Sequence, residues 1–194
     1  KCHACADGTY ADKLASAECK TCALGHEPNV ARTACVSCKI KAESTFSADG
    51  KACVACVKGK QPNKGRTDCD ACAIGKYSND GMPCAPAAAG RQPVNDKGVA
   101  ANTLAISEAA CPKGKYSTGA ELCKACGTGQ VPMTSDEKVG QTSSVKCTAC
   151  DAGKFLDSGS CKPCVTGKYA DATASTSCKT CALGTQQAAN KKGC

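Results

Sequence analysis

No tryptophan occurs in the 194 residues, and the only large rings are four Tyr and two Phe. A chain of this length ordinarily buries a substantial apolar core. The side chains to fill one are missing, because the hydrophobic fraction of 42% is mostly Ala and Cys. That argues against Rossmann, TIM-barrel and helical-bundle enzymes. No apolar run approaches the ~20 residues of a membrane-spanning helix. Histidine is limited to His3 and His26, too few for a Ser-His-Asp set. Gly-rich phosphate loops and carboxylate pairs framed in a pocket are also missing, so no enzymatic activity and no cofactor are expected. Only three Arg are present (Arg32, Arg66, Arg91). With so few rings to stack on bases, nucleic acid is not an expected partner. Asn-x-Ser/Thr sequons are absent as well, so N-glycans are not expected.

What the chain has is cysteine, 21 in all. Cysteine at this density marks a disulfide scaffold or a metal binder, and dense disulfides persist in oxidising places, which points to an extracellular or cell-surface protein. Nine Cys-x-x-Cys pairs begin at Cys2, Cys19, Cys35, Cys53, Cys69, Cys123, Cys147, Cys161 and Cys178, while Cys84, Cys111 and Cys194 stand alone. Let a module start at the second cysteine of each pair. In eight of the nine a glycine follows three residues later, from Gly8 and Gly25 to Gly167 and Gly184, and Lys41 is the exception. A glycine at a fixed offset implies a turn that needs positive φ.

The irregular middle follows the same rule. Ala87 lies three residues after Cys84, with Gly90 three beyond it, so Ala87 holds a module start without its cysteine. Glu108 stands three before Cys111, where the first cysteine of a pair belongs, and Cys111 starts a module with Gly114 and Tyr116. The count is eleven modules, ten with two cysteines and one with none. This double absence bears on connectivity. If each module start bonds the first cysteine of the next pair, Ala87 and Glu108 are each other's missing partners and no thiol is orphaned between them. The ladder is then Cys5–Cys19, Cys22–Cys35, Cys38–Cys53, Cys56–Cys69, Cys72–Cys84, Cys111–Cys123, Cys126–Cys147, Cys150–Cys161, Cys164–Cys178 and Cys181–Cys194. Pairing within each Cys-x-x-Cys instead strands Cys84, Cys111 and Cys194. The ladder leaves only Cys2 unpaired within the chain, with a partner expected upstream of residue 1.

Modules come in two kinds. One carries an aromatic after its glycine, at Tyr10, Tyr77, Tyr116, Phe155 and Tyr169, with Phe46 set later. The other carries Pro28, Pro62, Pro93 or Pro132, with Gln187 at that place in the last module. They alternate until Cys150 and Cys164, where two aromatic modules follow each other. The segments Gly8–Cys35 and Gly167–Cys194 have equal length and share Lys-Thr-Cys-Ala-Leu-Gly, the mark of a duplication. Loops of 10 to 14 residues lie between bonded cysteines, with one of 20 between Cys126 and Cys147. Closing such loops is worth about 3 kcal/mol each in the chain-entropy model and substitutes for a core.

The expected fold is therefore small and disulfide-rich: an elongated tandem array of short disulfide-stapled β-hairpin modules with little helix. Residues 1–84 hold modules 1–5 and residues 111–194 hold modules 7–11. Residues 85–110 form a degenerate cysteine-free module, the longest unstapled loop and a candidate hinge or contact. Each aromatic is expected to pack on a neighbouring disulfide, and each module to touch only its neighbours, as in a solenoid-like rod.

The run Cys-x-x-Cys-x-x-Gly-[Lys/Thr]-Tyr, at Cys2 to Tyr10 and Cys161 to Tyr169, resembles the ephrin-receptor-like and growth-factor-receptor cysteine-rich repeats. It is similar also to tumour-necrosis-factor-receptor modules and to the cysteine-rich surface antigens of ciliates and other protists. The resemblance covers nearly the whole chain except 85–110, and it implies an extracellular, elongated, disulfide-laddered fold. The Gly-Gly-Cys-Tyr motif usual in Giardia-type variant surface proteins is absent.

Three functional readings remain open. The first is a structural protein of a surface coat or filament, whose partner is a second copy, end to end or lateral, or an upstream continuation of the chain. The second is a receptor or adhesion ectodomain. The net charge of +8 supports it, as do basic residues after module glycines at Lys60, Lys76, Arg91, Lys115, Lys154 and Lys168, a candidate stripe for anionic polysaccharide. The third is thiolate metal binding, since Cys2, Cys5, Cys19 and Cys22 have zinc-ribbon spacing, although nine pairs do not group in twos.

Overall fold

The computed structural model describes residues 3–140 and 142–194. Ten two-stranded antiparallel hairpins follow one another along it. They pair Thr9–Tyr10 with Lys20–Thr21, His26–Pro28 with Cys35–Ser37, Thr45–Phe46 with Val54–Ala55, Lys60–Pro62 with Cys69–Ala71, and Lys76–Tyr77 with Ala85–Pro86. Next come Arg91–Val94 with Ser107–Ala110, Lys115–Tyr116 with Lys124–Ala125, Gln130–Met133 with Lys146–Ala149, Lys154–Asp157 with Ser160–Pro163, and Lys168–Tyr169 with Lys179–Thr180. The only helix among the described residues is α1, Cys38–Lys41. This is a small disulfide-rich repeat array, one hairpin to each of the first ten modules.

Local chemistry explains why each hairpin starts where it does. In module 1 the Thr9 N–H donates to the Ala6 carbonyl at 3.1 Å, with Gly8 at φ +81° in the third position of the turn. Only glycine enters that position of a type II turn freely. The same bond recurs from Lys60 to Val57, Lys76 to Ala73, Lys115 to Pro112 and Lys168 to Val165, at 3.0–3.2 Å. The fixed-offset glycine is thus the bend that launches the first strand, and the residue after it is the first residue of that strand.

Module 3 departs from the pattern because Lys41 replaces the glycine. There the chain makes the single turn α1, capped by the Ser37 hydroxyl, which accepts from the Lys39 N–H at 3.3 Å. The inserted turn moves Phe46 along the sequence but not in register. It pairs with Val54, just as Tyr10 pairs with Lys20, Tyr116 with Lys124 and Tyr169 with Lys179. All six aromatics of the chain occupy one structural position.

Ten disulfides close the modules. They join Cys5 to Cys19, Cys22 to Cys35, Cys38 to Cys53, Cys56 to Cys69 and Cys72 to Cys84. The others join Cys111 to Cys123, Cys126 to Cys147, Cys150 to Cys161, Cys164 to Cys178 and Cys181 to Cys194. Cys2, expected to lack a partner within the chain, lies outside the described residues. The interior is correspondingly made of sulfur and small side chains, among them Cys38, Cys72, Cys111, Cys150, Cys164, Ala105 and Val131.

The chain divides into two compact units: Lys1–Pro86 with Pro93–Glu108, and Ala87–Gln92 with Ala109–Cys194. The division runs through the sixth hairpin. Residues 85–110, expected to be an unstapled loop, lack a disulfide but are folded. In the first unit Pro93, Val94 and Ala105 are buried and the Ile106 N–H donates to the Val94 carbonyl at 2.9 Å. In the second, the Cys111 N–H donates to the Gly90 carbonyl at 2.8 Å.

Candidate functional site

Among the described residues, recurring hydrogen bonds lie at the module seams and most charged side chains lie at the surface. The seams begin with the residue after each aromatic, which is small everywhere but after Phe155: Ala11, Ser47, Ser78, Ser117 and Ala170. Its N–H donates forward to the next module, from Ala11 to the Arg32 carbonyl, Ser47 to Arg66, Ser78 to Ala105, Ser117 to Ser144 and Ala170 to Lys191, at 2.8–3.1 Å. Its carbonyl accepts from behind. The Gly25 N–H donates to Ser47, Gly59 to Ser78, Gly90 to Ser117 and Gly153 to Ala170, at 2.7–2.8 Å. Ser47, Ser78, Ser117 and Ala170 are accordingly buried. A larger side chain there would push the neighbouring modules apart.

A second seam bond uses a side chain. Glu27, Gln61 and Gln92, each just before a module proline, accept from the N–H of the closing cysteine of the next module. These are Cys53 at 2.7 Å, Cys84 at 2.7 Å and Cys123 at 3.1 Å. A third element is the loop tip, which presses on the previous module's start. The Ala120 N–H donates to the Ala87 carbonyl and the Ala174 N–H to the Cys150 carbonyl, both at 2.8 Å. At Gly81 a Cβ would lie 2.2 Å from the Cys56 carbonyl oxygen.

Contacts also skip a module, which overturns the expectation that modules touch only their neighbours. A Cβ on Gly25 would meet the Gly65 carbonyl at 2.4 Å, one on Gly59 the Leu104 carbonyl at 2.5 Å, and one on Gly129 the Ala174 carbonyl at 1.8 Å. The physical reason is that the bend glycines have no side chain to hold the module after next away.

Two of the three arginines are clamps of the same kind. Arg66 donates to the carbonyls of Ala42, Glu43 and Thr45 at 2.7–3.1 Å and to the Glu43 carboxylate at 3.0 Å. It thereby clamps the segment that follows α1, from Ala42 to Thr45. Arg32 reaches the Cys5 carbonyl and the Asp7 carboxylate in module 1.

Two sets of strand lysines stand apart. Four on second strands, Lys20, Lys124, Lys162 and Lys179, face an aromatic and an acid. Lys20 pairs with Asp12 at 2.9 Å, Lys162 with Asp157 at 2.6 Å and Lys179 with Asp171 at 2.8 Å. The Lys124 ammonium sits 5.3 Å from the Tyr116 ring centroid and 2.9 Å from Glu121. Hydrogen bonding to these lysines holds Asp12, Asp157 and Asp171 below the usual carboxylate range. Glu121, bonded first to Lys124 and then to the Thr118 N–H and hydroxyl, is lowered to about 2. Those on first strands are the positions read as a basic stripe. Lys60, Lys76, Lys115 and Lys168 have no ion-pair partner among the described residues, and Lys154 lies 3.6 Å from Asp151. Arg91 holds the matching strand position in module 6 and is half-buried.

Three members of the zinc-ribbon set are not thiolates, since Cys5 is bonded to Cys19 and Cys22 to Cys35. No group of three or more His, Cys, Asp or Glu among the described residues is placed to hold a metal ion. The seam residues were not singled out from sequence. Their signals were present, however, as a small residue after every module aromatic but Phe155 and Glu or Gln before three of the four module prolines. Comparison with protein-family models and with curated proteins finds no match for this chain.

Proposed function

We propose that the protein is an extracellular structural repeat protein that builds a cell-surface coat or filament, with itself or a continuation of its own chain as partner. The observation that supports this most is the seam. Main-chain bonds at Gly25, Ser47, Gly59, Ser78, Gly90 and Ser117 tie successive modules into a repeating scaffold, and the potential to repeat is what an assembly needs. Ten disulfides suit an oxidising compartment, and no helix among the described residues is long and apolar enough to cross a membrane. The reading assigns no catalysis. Electron microscopy of native material labelled with an antibody to this chain tests it. An ordered, labelled coat or filament is expected, and dispersed labelled monomers at high local concentration would overturn it.

A receptor or adhesion ectodomain that binds anionic glycan is the second reading. The observation that favours it is the set of exposed Lys76, Lys115 and Lys168, joined by half-buried Lys60, all without acidic partners at one strand position. Ionic strength separates it from the first reading, because such binding weakens with salt.

A further inference from the structure

Two stretches of the chain are continuous covalent rails. From Cys5 to Cys84 and from Cys111 to Cys194, tension passes from a disulfide through the two residues of a Cys-x-x-Cys link into the next disulfide. The residues looped out between bonded cysteines, 10 to 14 in most modules and 20 between Cys126 and Cys147, lie off that path. Link residues such as Lys20–Thr21 and Lys124–Ala125 are already strands and have little length left to give. Residues 85–110 join one rail to the other and hold no cysteine.

This segment is folded at rest, with Ala87, Pro93, Val94 and Ala105 buried. Its hairpin, however, meets tension in its weakest direction. The chain enters Arg91–Val94 and leaves Ser107–Ala110 at the same end, where the Cys111 N–H donates to the Gly90 carbonyl at 2.8 Å. Antiparallel ladder bonds lie across the strands, so a pull on that end strains them one at a time. The Cys111–Gly90 bond goes first, and the bonds from Ile106 to Val94 and from Asn95 to Val99, both 2.9 Å, follow. The ties to neighbouring modules are hydrogen bonds as well. The Ala105 carbonyl accepts from the Ser78 N–H at 3.0 Å and the Gln92 side chain from the Cys123 N–H at 3.1 Å. Each is far weaker than the covalent bond that takes the strain in every other module.

We infer that residues 85–110 are a reserve of length, drawn out reversibly under tension while the disulfide-closed modules on either side stay shut. The cysteines missing at Ala87 and Glu108 are what frees it. Fully extended, the segment spans ~90 Å between Cys84 and Cys111, and its release lengthens the chain by that amount less the folded distance between the two cysteines. A chain fixed in place at its ends can thus yield once, without breaking a covalent bond, and recover. The property belongs to the chain itself and holds for a coat, a filament or an adhesion ectodomain alike.

The test is single-molecule force spectroscopy on the oxidised 194-residue chain, held by peptide tags at its two ends. One reversible step of roughly 80 Å is expected, and adding a reductant should release the stapled loops as further steps. Two variants locate the step. Six glycines inserted after Gly98, where an added Cβ meets nothing within 4 Å, should lengthen it by ~20 Å. Ala87→Cys with Glu108→Cys should abolish it, provided the free-thiol count matches the wild type and so shows the new bond closed. A wild type that gives no such step before reduction, or several, overturns the inference. So does a step whose length ignores the inserted residues, or one that survives closure of the new disulfide. If the new pair stays reduced, the insertion alone decides.

Discussion

At the residue scale, the molecule depends on places where a side chain is forbidden and on a few where one is indispensable. Gly81 and Gly98 share nearly the same backbone, φ +71° and +72°, but a Cβ at Gly81 would strike the Cys56 carbonyl whereas one at Gly98 meets nothing within 4 Å. Gly98→Ala should cost only the left-handed backbone penalty, on the order of 1–2 kcal/mol. Gly81→Ala should cost clearly more in urea titration, and equal costs would refute the close approach. Arg66, 13% exposed, donates to three carbonyls and a carboxylate. Arg66→Lys should lose about 2 kcal/mol, because an ammonium does not reproduce the planar fork. Glu121 contributes to stability in a predictable pH window. Its carboxyl is lowered from the ordinary 4.5 to about 2, so its contribution is complete above pH ~4.5 and is lost as pH falls toward 2. Amide exchange of the Lys115–Tyr116 and Lys124–Ala125 hairpin should accelerate over that range in the wild type, and Glu121→Gln should remove the dependence.

At the element scale the unit is a hairpin of two to four paired residues per strand, too short to persist alone. Each relies on its disulfide and on its seam bonds. Removing the fifth bond by Cys72→Ala with Cys84→Ala should destabilise that module by about 3 kcal/mol, read as faster exchange at Lys76–Tyr77. Unchanged exchange would show that the seam alone suffices. Most of this layer was legible in the sequence. The glycine offset marked the bends, and the joint loss of cysteine at Ala87 and Glu108 argued for sequential bonding. What escaped has physical causes. Four residues of helix at Cys38–Lys41 are too few to show a period. Backbone donors at Ser47 or Gly59 look like any others until their neighbours are placed. Arg32 and Arg66 adopt positive φ, 54° and 57°, which residue type does not announce.

At the scale of the whole molecule, the net charge of +8 is unevenly committed. Lys20, Lys124, Lys162 and Lys179 are tied to acids, while Lys60, Lys76, Lys115 and Lys168 are not. If glycan binding operates, replacing those four by Gln should shift elution from a heparin column to distinctly lower salt. Replacing the four committed lysines should shift it less, and equal shifts would show that net charge alone is being read. The seams have a separate consequence. Many of the bonds that join modules are made by main-chain atoms, and the side chains that add to them are a few fixed ones, Glu27, Gln61, Gln92, Arg32 and Arg66. The outward turns at Ala23–Leu24, Lys39–Ile40 and Ala73–Ile74 take no side-chain part in the bonds that hold the array together. Such a chain can exchange its outer residues over generations with little penalty, so the face it shows its surroundings can change while the framework beneath it persists.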